Sequence, residues 1–345
     1  MSDNPLHAIL DRPNSYIGRS VPRPNVRRLL QGRGNYVDDI RLPRMVHVAF
    51  VRSPYAHARI DDIDTDAALN KPGVIAVVNG TELAEYCTPW VGVLSHLAGL
   101  KSQPQHAIAI RKACWQGEAV AAVVAETRAQ AEDGVDAVQV QWTELPVAAN
   151  METALDEKTP VIHSDLGDNL AWERTFEAGD VDAAFAAGTV VDQEFSFGRH
   201  TGVTLEPRAI LSSYEPAEGR LTVHHSCQAP HMMQNIFATH LGLEEHDVRI
   251  ICGDVGGSFG IKVHTYADEM ATAALSVMLR RPVKFIADRL ESFLTDIHAR
   301  DHRIKGRMAI SESGQILGIE IDDLTGIGPY SVYPRTSGIE ANQIV

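Results

Sequence analysis

The stretch ICGDVGGSFGIKVH, from Ile251 to His264, places four glycines and one lysine between an apolar run and a segment with helical spacing. Glycine-rich loops between a strand and a helix often hold phosphate, so the two known phosphate-binding patterns are compared first. A P-loop needs Gly-Lys-Ser/Thr, whereas Lys262 is preceded by isoleucine and followed by valine. A dinucleotide fingerprint needs Gly-x-Gly-x-x-Gly, but Val255 stands where its first glycine should be. The loop fits neither pattern.

The residues on either side of this loop predict a strand before it and a helix after it. The run DVRIIC, residues 247–252, is apolar and β-branched, as in a strand. Apolar residues recur near helical spacing in TYADEMATAALSVMLRR, residues 265–281, and Pro282 ends the pattern. The loop therefore leads to a helix N-terminus, whose free backbone N–H groups could bind an anion.

The aromatic residue inside the loop is not explained by phosphate binding. Phe259 stands between glycines, which allow other atoms to approach the backbone closely. A pocket that confines a flat ligand beside an oxyanion or a metal-oxo group would use such a ring. A tight turn whose phenylalanine enters the core would show the same residues, and this alternative stays open at this point.

The composition is that of a soluble globular protein with room for about two domains. The chain has 345 residues, of which 44% are hydrophobic and 22% are charged, and its formal net charge is −14. An acidic chain argues against nucleic acid or an anionic membrane as partner, because clustered Lys and Arg carry such binding. The one dense basic stretch, HARDHRIKGR at residues 298–307, is interrupted by Asp301 and is interpreted as a solvated strand face.

The cysteines and the N-terminus predict a reduced, cytoplasmic protein. The four cysteines are far apart in the sequence and form neither a C-x-x-C pair nor a zinc or iron–sulfur spacing. Any iron–sulfur cluster that serves this protein must therefore lie on another chain. The first residues show no apolar export signal.

The remaining patterns predict an α+β protein. Strands are expected around Ser53-Pro54, which interrupts one of them, and at residues 74–78, 118–125, 189–197, 210–216, 221–228 and 282–288. A helix that runs into a strand is expected within residues 128–142, and another helix at 231–242. A short helix is expected after Asp180 as its N-cap, with Gly188 just past its end.

Several motifs in this order resemble the molybdenum hydroxylases, the group of xanthine dehydrogenase, aldehyde oxidase and aerobic carbon monoxide dehydrogenase. The segments GRGNYVDDIRLPRMVHVAFVRSPYAHARI and GEAVAAVVAETRAQAEDGVDAVQVQWTELP look like the family's α/β-hammerhead domain. The segments GDVDAAFAAG, RHTGVTLEPRAIL, SCQAPHMMQNIFATHLGL and GDVGGSFGIKV look like the start of its molybdopterin-binding region. The resemblance spans roughly residues 16–345.

The resemblance implies four segments along the chain. Residues 1–27 would form an N-terminal extension and residues 28–150 the α/β-hammerhead domain. A polar, turn-rich linker would follow at residues 151–170. Residues 171–345 would be the first, incomplete part of the molybdopterin-binding domain.

The resemblance also implies which residues contact the cofactor. The family's loop lines the molybdenum centre, which here corresponds to Gly257, Ser258, Phe259 and Gly260. A glutamine from an upstream Ser-x-Gln segment hydrogen-bonds the metal's apical oxo ligand, and Gln228 holds that position. Glutamine suits this role because its amide N–H donates without competing for the metal as His or Cys would. No protein metal ligand is expected, since the pterin carries the molybdenum.

Two other groups of residues are interpreted as structural. His224 and His225 lie beside Cys227, but neighbouring strand residues point to opposite faces and no further ligand completes a metal site. Glu206 could be a buried carboxylate, but an ion pair with the nearby Arg208 that locks a turn is the favoured interpretation.

The resemblance implies an oxidoreductase that hydroxylates a small molecule, such as an aldehyde or an N-heterocycle, with water as the oxygen source. Purine-oxidising members carry Glu just after the loop lysine, and Val263 occupies that position, which argues against a purine substrate. The family's late general base matches no glutamate here, so no catalytic residue is assigned. The resemblance implies half of a catalytic subunit, either naturally split across two genes or truncated, and the other half is expected to supply the base. By itself the chain should be inactive.

The cofactor implied is molybdopterin with molybdenum, either alone or as the cytosine dinucleotide. FAD and [2Fe–2S] centres are expected on partner subunits of a hetero-oligomer. The alternative is a catalytically inert scaffold of the same fold that binds partner subunits. A phosphate- or nucleotide-binding protein is a third interpretation, which rests on the glycine loop alone.

Overall fold

A computed structural model describes residue 16 and residues 20–92, 97–299 and 301–332. Most of the predicted N-terminal extension, Arg300 in the basic stretch and the last 13 residues of the predicted cofactor-binding domain lie outside the described residues.

The described chain is a mixture of helices and strands, numbered here in chain order. The helices are α1 Val26–Leu30, α2 Asp66–Leu69, α3 Gly80–Leu83, α4 Arg128–Val135, α5 Val181–Ala187, α6 Pro230–Leu241, α7 Ala267–Leu279 and α8 Arg289–Thr295. The strands are β1 Val46–Arg52, β2 Ala58–Asp64, β3 Val74–Asn79, β4 Lys112–Ala113, β5 Ala119–Ala125, β6 Gln139–Glu144, β7 Thr189–Phe197, β8 Ala209–Glu215, β9 Arg220–His225, β10 Val248–Ile251, β11 Val283–Ile286, β12 His302–Ile310 and β13 Ile316–Thr325.

The largest sheet joins strands from both halves of the chain. Within the described residues it has seven strands in the order β10-β9-β8-β11-β1-β5-β3. Its two halves meet where β1 pairs in parallel with β11, with Val46 opposite Val283 and His47 opposite Lys284. The predicted hammerhead region and the predicted cofactor-binding region thus share one hydrogen-bonded sheet.

The core lies on both faces of this sheet. Every residue of β5 is buried, as its uninterrupted apolar sequence predicts. Helix α4 packs against β1 and β5, while α7 packs against β8 and β11. Gly134 in α4 allows this close packing, because a Cβ atom there would lie 2.6 Å from a methyl group of Val123.

Two smaller sheets complete the described architecture. One has the order β4-β2-β6 and belongs to the first half of the chain. The other has the order β13-β12-β7, and both of its pairings are antiparallel.

The local predictions are confirmed. The strand around Ser53-Pro54 is broken into β1 and β2. The helix and strand predicted within residues 128–142 are present as α4 and β6, and the helix predicted at 231–242 is present as α6. Asp180 caps α5, since its Oδ1 accepts a hydrogen bond of 2.9 Å from the backbone N–H of Ala183. No helix in the described ranges is long and apolar enough to cross a membrane.

Candidate functional site

The glycine loop, residues 252–260, leaves the end of β10 and enters a 3-10 turn at Ile261–Val263. Its path requires glycine at particular positions. Gly257 and Gly260 have φ values of +105° and +92°, a region that L side chains rarely adopt. At Gly256 the constraint is space, because a Cβ atom there would lie 2.5 Å from Cβ of Glu206.

Glu206 binds both the middle of the loop and the 3-10 turn that follows it. Its Oε2 accepts hydrogen bonds from the backbone N–H of Gly256 at 2.6 Å and from Nζ of Lys262 at 2.9 Å. Ser226 joins the same group, donating from Oγ to Glu206 at 2.7 Å and accepting from Lys262 Nζ at 2.8 Å. The backbone N–H of Glu206 also donates to the carbonyl of Gly256. We call Glu206, Ser226 and Lys262 the loop clamp.

The predicted ion pair between Glu206 and Arg208 is therefore wrong. Glu206 turns toward the loop, whereas the buried Arg208 contacts Asp296 and binds Asp268 at the start of α7 with two hydrogen bonds of 2.5 and 2.9 Å. The two residues hold different elements: Glu206 binds the loop, and Arg208 binds the helix that follows it. The sequence feature that could have predicted the loop clamp is Lys262, because a lysine that becomes buried beside the loop needs an anionic partner.

Gln228 comes next to the loop, as the motif order predicts. It follows β9, and its backbone N–H donates to the carbonyl of Lys262 at 3.0 Å. Its side chain is exposed. The segment after β9 that carries Gln228 is thus hydrogen-bonded to Lys262, which follows Phe259 by three residues in the sequence.

Phe259 does not enter the core, so that alternative is wrong. Its side chain is 77% exposed, and its φ of +50° is uncommon for a residue other than glycine. The ring lies back along the loop, because a Cβ atom at Gly257 would lie 3.3 Å from its Cε2. The segment before Glu206 packs against the same residue, since a Cβ atom at Gly202 would lie 3.0 Å from Phe259 Cβ.

Buried polar atoms without partners mark this region as incomplete. Thr201 Oγ1, Glu206 Oε1 and Ser258 Oγ are buried and have no hydrogen-bond partner among the described residues. Buried polar atoms in native proteins are nearly always satisfied. A bound group rich in hydrogen-bonding atoms, such as a pterin with its ring nitrogens and its carbonyl and phosphate oxygens, fits this arrangement.

The helix after the loop is not an anion site, contrary to the expectation from its N-terminus. The first turn of α7 contains Asp268 and Glu269, both buried. Arg208 and Arg52 bind Asp268, and His225 Nε2 lies 2.9 Å from Glu269 Oε2. Carboxylates already occupy the positive end of this helix.

The structure pairs one of the two histidines that were predicted to be structural with a carboxylate, since His225 Nε2 lies 2.9 Å from Glu269 Oε2. His225 is buried, while its neighbour His224 on the opposite face is half-buried. Burial lowers the pKa of His225, but the Glu269 carboxylate outweighs this and raises that pKa to about 10. No group of three or more His, Cys, Asp or Glu side chains suited to a metal ion occurs in the part of the chain that the structure describes.

Two further contacts at the loop were not expected from the sequence. Arg28 in α1 binds Asp254 with two hydrogen bonds of 2.6 and 2.7 Å, and this lowers the pKa of Asp254 to about 2. Cys252 donates from Sγ to the carbonyl of Cys227 at 3.0 Å. Both contacts join residues far apart in the sequence.

A cavity of about 370 Å³ lies elsewhere, lined in part by Arg52, Trp115, Tyr266 and Tyr330. Gln228 and the residues of the glycine loop do not line it. It is therefore separate from the candidate site.

Comparison with known protein families agrees with the predicted order of regions. Residues 162–342 match the molybdopterin cofactor-binding domain, and residues 31–146 match the aldehyde oxidase and xanthine dehydrogenase a/b hammerhead domain. The chain therefore belongs to the molybdenum hydroxylase family. Most of this chain resembles one part of that family's molybdopterin-binding subunit.

Individual relatives show how much of such a subunit the chain spans. It is 36% identical over 317 residues to the carbon monoxide dehydrogenase large chain of Hydrogenophaga pseudoflava, covering 88% of this chain and 39% of that one. Quinoline 2-oxidoreductase from Pseudomonas putida 86 has a TM-score of 0.88 and 35% identity, covering 92% of this chain and 40% of that chain. The nicotinate dehydrogenase large molybdopterin subunit of Eubacterium barkeri is 29% identical over 318 residues, and the match covers 92% of this chain and 72% of that subunit. The chain thus spans about two fifths of the first two relatives.

Proposed function

We propose that this chain forms part of the cofactor site of a molybdenum hydroxylase. One observation carries the proposal: the backbone N–H of Gln228 donates a hydrogen bond to the carbonyl of Lys262, just after the glycine loop, and Phe259 in that loop is exposed. Both residues occupy the motif positions that line the molybdenum centre in the family. When bound, the molybdopterin cofactor supplies a metal centre that accepts two electrons from the substrate, with water as the source of oxygen.

The residues of this chain would hold and shield the cofactor. The Gln228 amide would donate a hydrogen bond to it, and the exposed ring of Phe259 would exclude water from one side. Gly257 and Gly260 would let the backbone approach closely, and the unpaired hydroxyl of Ser258 would gain a partner. The protein ligates no metal in this proposal, since the pterin holds the molybdenum.

The proposed substrate is an aldehyde, an N-heterocycle or a similar small molecule. Val263 follows the loop lysine and offers no carboxylate for a purine. The general base would come from the part of the large subunit that this chain does not cover, so the chain alone would be inactive.

The proposed assembly is a cytoplasmic hetero-oligomer. It would contain the remaining half of the molybdopterin subunit, an FAD-binding subunit and a [2Fe–2S] subunit, with the pterin present either alone or as its cytosine dinucleotide.

Metal analysis of the assembled complex tests the proposal. We expect about one molybdenum and one pterin per copy of this chain, together with hydroxylase activity. An inert scaffold of the same fold would form the complex but hold neither molybdenum nor pterin, and that result would overturn the proposal.

A further inference from the structure

The glycine loop, residues 252–260, depends on neighbouring segments for its shape. Four of its nine residues are glycines, and Gly257 and Gly260 have positive φ values. A backbone with this much freedom holds one conformation only where other parts of the chain fix it. The loop clamp binds the loop at Gly256 and binds the 3-10 turn after it. The half of the loop before Gly256 needs an anchor of its own.

Asp254 provides that anchor. Arg28 in α1 donates from its two terminal nitrogens to Oδ2 and Oδ1 of Asp254, at 2.7 and 2.6 Å. The backbone N–H of Asn35 also donates to Oδ2, at 2.8 Å. A bidentate pair between guanidinium and carboxylate is stronger than a neutral hydrogen bond and fixes the orientation of both groups. One segment of the chain therefore holds this carboxylate with three hydrogen bonds.

The same segment lies against the backbone at the start of the loop. A Cβ atom at Gly253 would lie 3.4 Å from the carbonyl oxygen of Asn35, so the two backbones are close together there. Arg28 donates from its side chain to the carbonyl of Arg33 at 2.8 Å, and the backbone N–H of Arg33 donates to the carbonyl of Arg28 at 3.0 Å. Residues 28–35 are thus bonded to one another and meet the loop as one unit.

This segment is also attached to the large sheet. Val37 is buried and packs against residues of β8. The buried Lys284 of β11 donates from Nζ to the carbonyls of Asp38 and Ile40, at 2.9 and 2.6 Å. Since β8 and β11 are neighbours in the sheet, the sheet sets the position of the segment. We call residues 28–40 the bracket.

We propose that Arg28 is a positioning residue of the cofactor site, because it connects the bracket to the glycine loop through Asp254. The clamp at Gly256 fixes where the loop passes, and a second anchor two residues earlier fixes the direction in which it continues toward Phe259. Arg28 lies outside both regions that match the family, residues 31–146 and 162–342. Its effect on a cofactor rests on the proposed function, whereas its effect on the loop does not.

The test compares Arg28→Met with Arg27→Met. Both variants replace an arginine of the same short helix by an uncharged side chain, and Arg27 is exposed. The side chain of Arg28 is itself 39% exposed, so breaking its ion pair should change the overall stability little. Circular dichroism and urea unfolding should therefore give the same result for both variants and the wild type.

Hydrogen exchange of the loop measures the first effect on the full chain, produced without molybdenum. The backbone N–H of Gly256 donates to Glu206 and is protected while the loop stays in place. We expect it to exchange about three- to tenfold faster in Arg28→Met, because a loop that has lost an anchor opens more often. The exchange should be unchanged in Arg27→Met, and amides within α7 should be unchanged in both variants. Unchanged exchange of the loop in Arg28→Met would overturn the inference.

Retention of the cofactor measures the second effect. Molybdenum and pterin that stay bound to the assembled complex are followed during dialysis. We expect Arg28→Met to lose both about three- to tenfold faster than the wild type, less than the roughly 100-fold limit for a residue next to a metal ligand. Arg28→Lys should fall between them, since lysine keeps the charge but cannot form the bidentate pair. Adding Asp254→Asn to Arg28→Met should cause no further loss, because the same contact is already broken.

The two measurements separate this inference from the proposed function. A wild-type complex that holds neither molybdenum nor pterin would overturn the proposed function, and hydrogen exchange would then decide by itself whether Arg28 holds the loop. A wild-type complex that holds the cofactor, together with equal retention in Arg28→Met, would overturn the positioning role of Arg28.

Discussion

Phe259 combines, at the scale of one residue, two features that support the proposed cofactor site. The residue has a positive φ and leaves 77% of its side chain in solvent, two features that each disfavour a phenylalanine in a stable fold. A residue that contributes little to packing and adopts an unusual backbone conformation is expected to be retained for binding.

Phe259→Ala should therefore reduce activity without reducing stability much. A buried phenylalanine costs about 3–5 kcal/mol when truncated to alanine, and Phe237 in α6 is such a residue, with an exposure of 1%. We expect urea unfolding to show a loss of that size for Phe237→Ala and less than about 1 kcal/mol for Phe259→Ala. Turnover of the assembled enzyme should fall for Phe259→Ala, and normal turnover with a large loss of stability would contradict its assignment.

Gln228→Ala should leave the fold intact, because the side chain is exposed and the contact with the loop is made by the backbone. Loss of a residue that hydrogen-bonds a ligand of a metal centre typically lowers metal affinity or activity by roughly 10- to 100-fold. Molybdenum content and turnover of the complex are the measurements, with Gln141→Ala on the exposed side of β6 as the matched control. Full metal occupancy with unchanged kinetics would reject the role of Gln228.

The incorrect prediction of an ion pair between Glu206 and Arg208 shows why contacts between buried charged residues are hard to predict. Arg208 is two residues away in the sequence and is the obvious partner, whereas Lys262 lies 56 residues away and becomes a neighbour only when the loop folds back. Motif positions could identify Gln228 and Phe259, but the pairing of buried charges depends on tertiary packing.

At the scale of elements, the loop clamp links the end of β9, the glycine loop and the segment before β8. The side chain of Lys262 is fully buried and that of Glu206 is 13% exposed, so each charge depends on the other. The residues of the loop clamp should therefore stabilise the fold together, so that their contributions to the free energy of unfolding are not additive.

A double-mutant cycle measures this dependence. Lys262→Met and Glu206→Gln should each destabilise the chain by about 3–5 kcal/mol, because each leaves a buried partner unpaired. The combined variant should lose less than the sum of the two, with a coupling of roughly 1–3 kcal/mol. Lys305→Met on β12 is the exposed control and should change the stability by less than about 0.5 kcal/mol. Additive effects would show that the two residues act separately.

The His225–Glu269 pair joins β9 to α7 and predicts a dependence on pH. The pKa of His225 is about 10 in the folded chain and about 6.5 when unfolded, so the folded state binds the proton more tightly. Its stabilising effect is complete below pH 6.5 and is lost as the pH rises toward 10. The wild type should therefore lose stability between pH 7 and pH 9.

His225→Gln should remove most of this loss, and His231→Gln on the exposed side of α6 should not. Urea unfolding at pH 7 and pH 9 provides the comparison. Parallel losses in the wild type and His225→Gln would show that the pair does not contribute to the pH dependence.

At the scale of the whole molecule, the seven-stranded sheet couples regions that the sequence separates. The linker predicted at residues 151–170 suggests two independent units. The parallel pairing of β1 with β11 and the bond from Arg52 to Asp268 instead connect them directly. We expect one cooperative unfolding transition.

Two optical probes can test this cooperativity. All four tryptophans, Trp90, Trp115, Trp142 and Trp172, precede β7, so fluorescence reports mainly on the first half of the chain, while far-UV circular dichroism reports on all of it. The two transitions should coincide, and Val46→Ala at the joint should shift both equally, by roughly 2 kcal/mol. Separate midpoints would support two independent units.

Local patterns could predict most helices and strands because spacing, caps and prolines act over a few residues. The order of strands in the large sheet could not be predicted in this way, since Val46 and Val283 meet only in the folded chain. The same is true of the sheet β13-β12-β7, in which the apolar residues along β7 are interrupted by Gln193 and line up with those of β12 and β13 only in the folded chain.

The loop clamp also affects the order in which the enzyme can be assembled. Because Glu206, Ser226 and Lys262 bind the loop with the chain's own hydrogen bonds, we expect its shape to be set before the cofactor binds. Little conformational entropy then has to be lost when the pterin arrives, since the receiving backbone is already ordered. Such a site can bind its cofactor after the protein has folded. An apoenzyme made without molybdenum should therefore bind the cofactor when it is supplied afterwards.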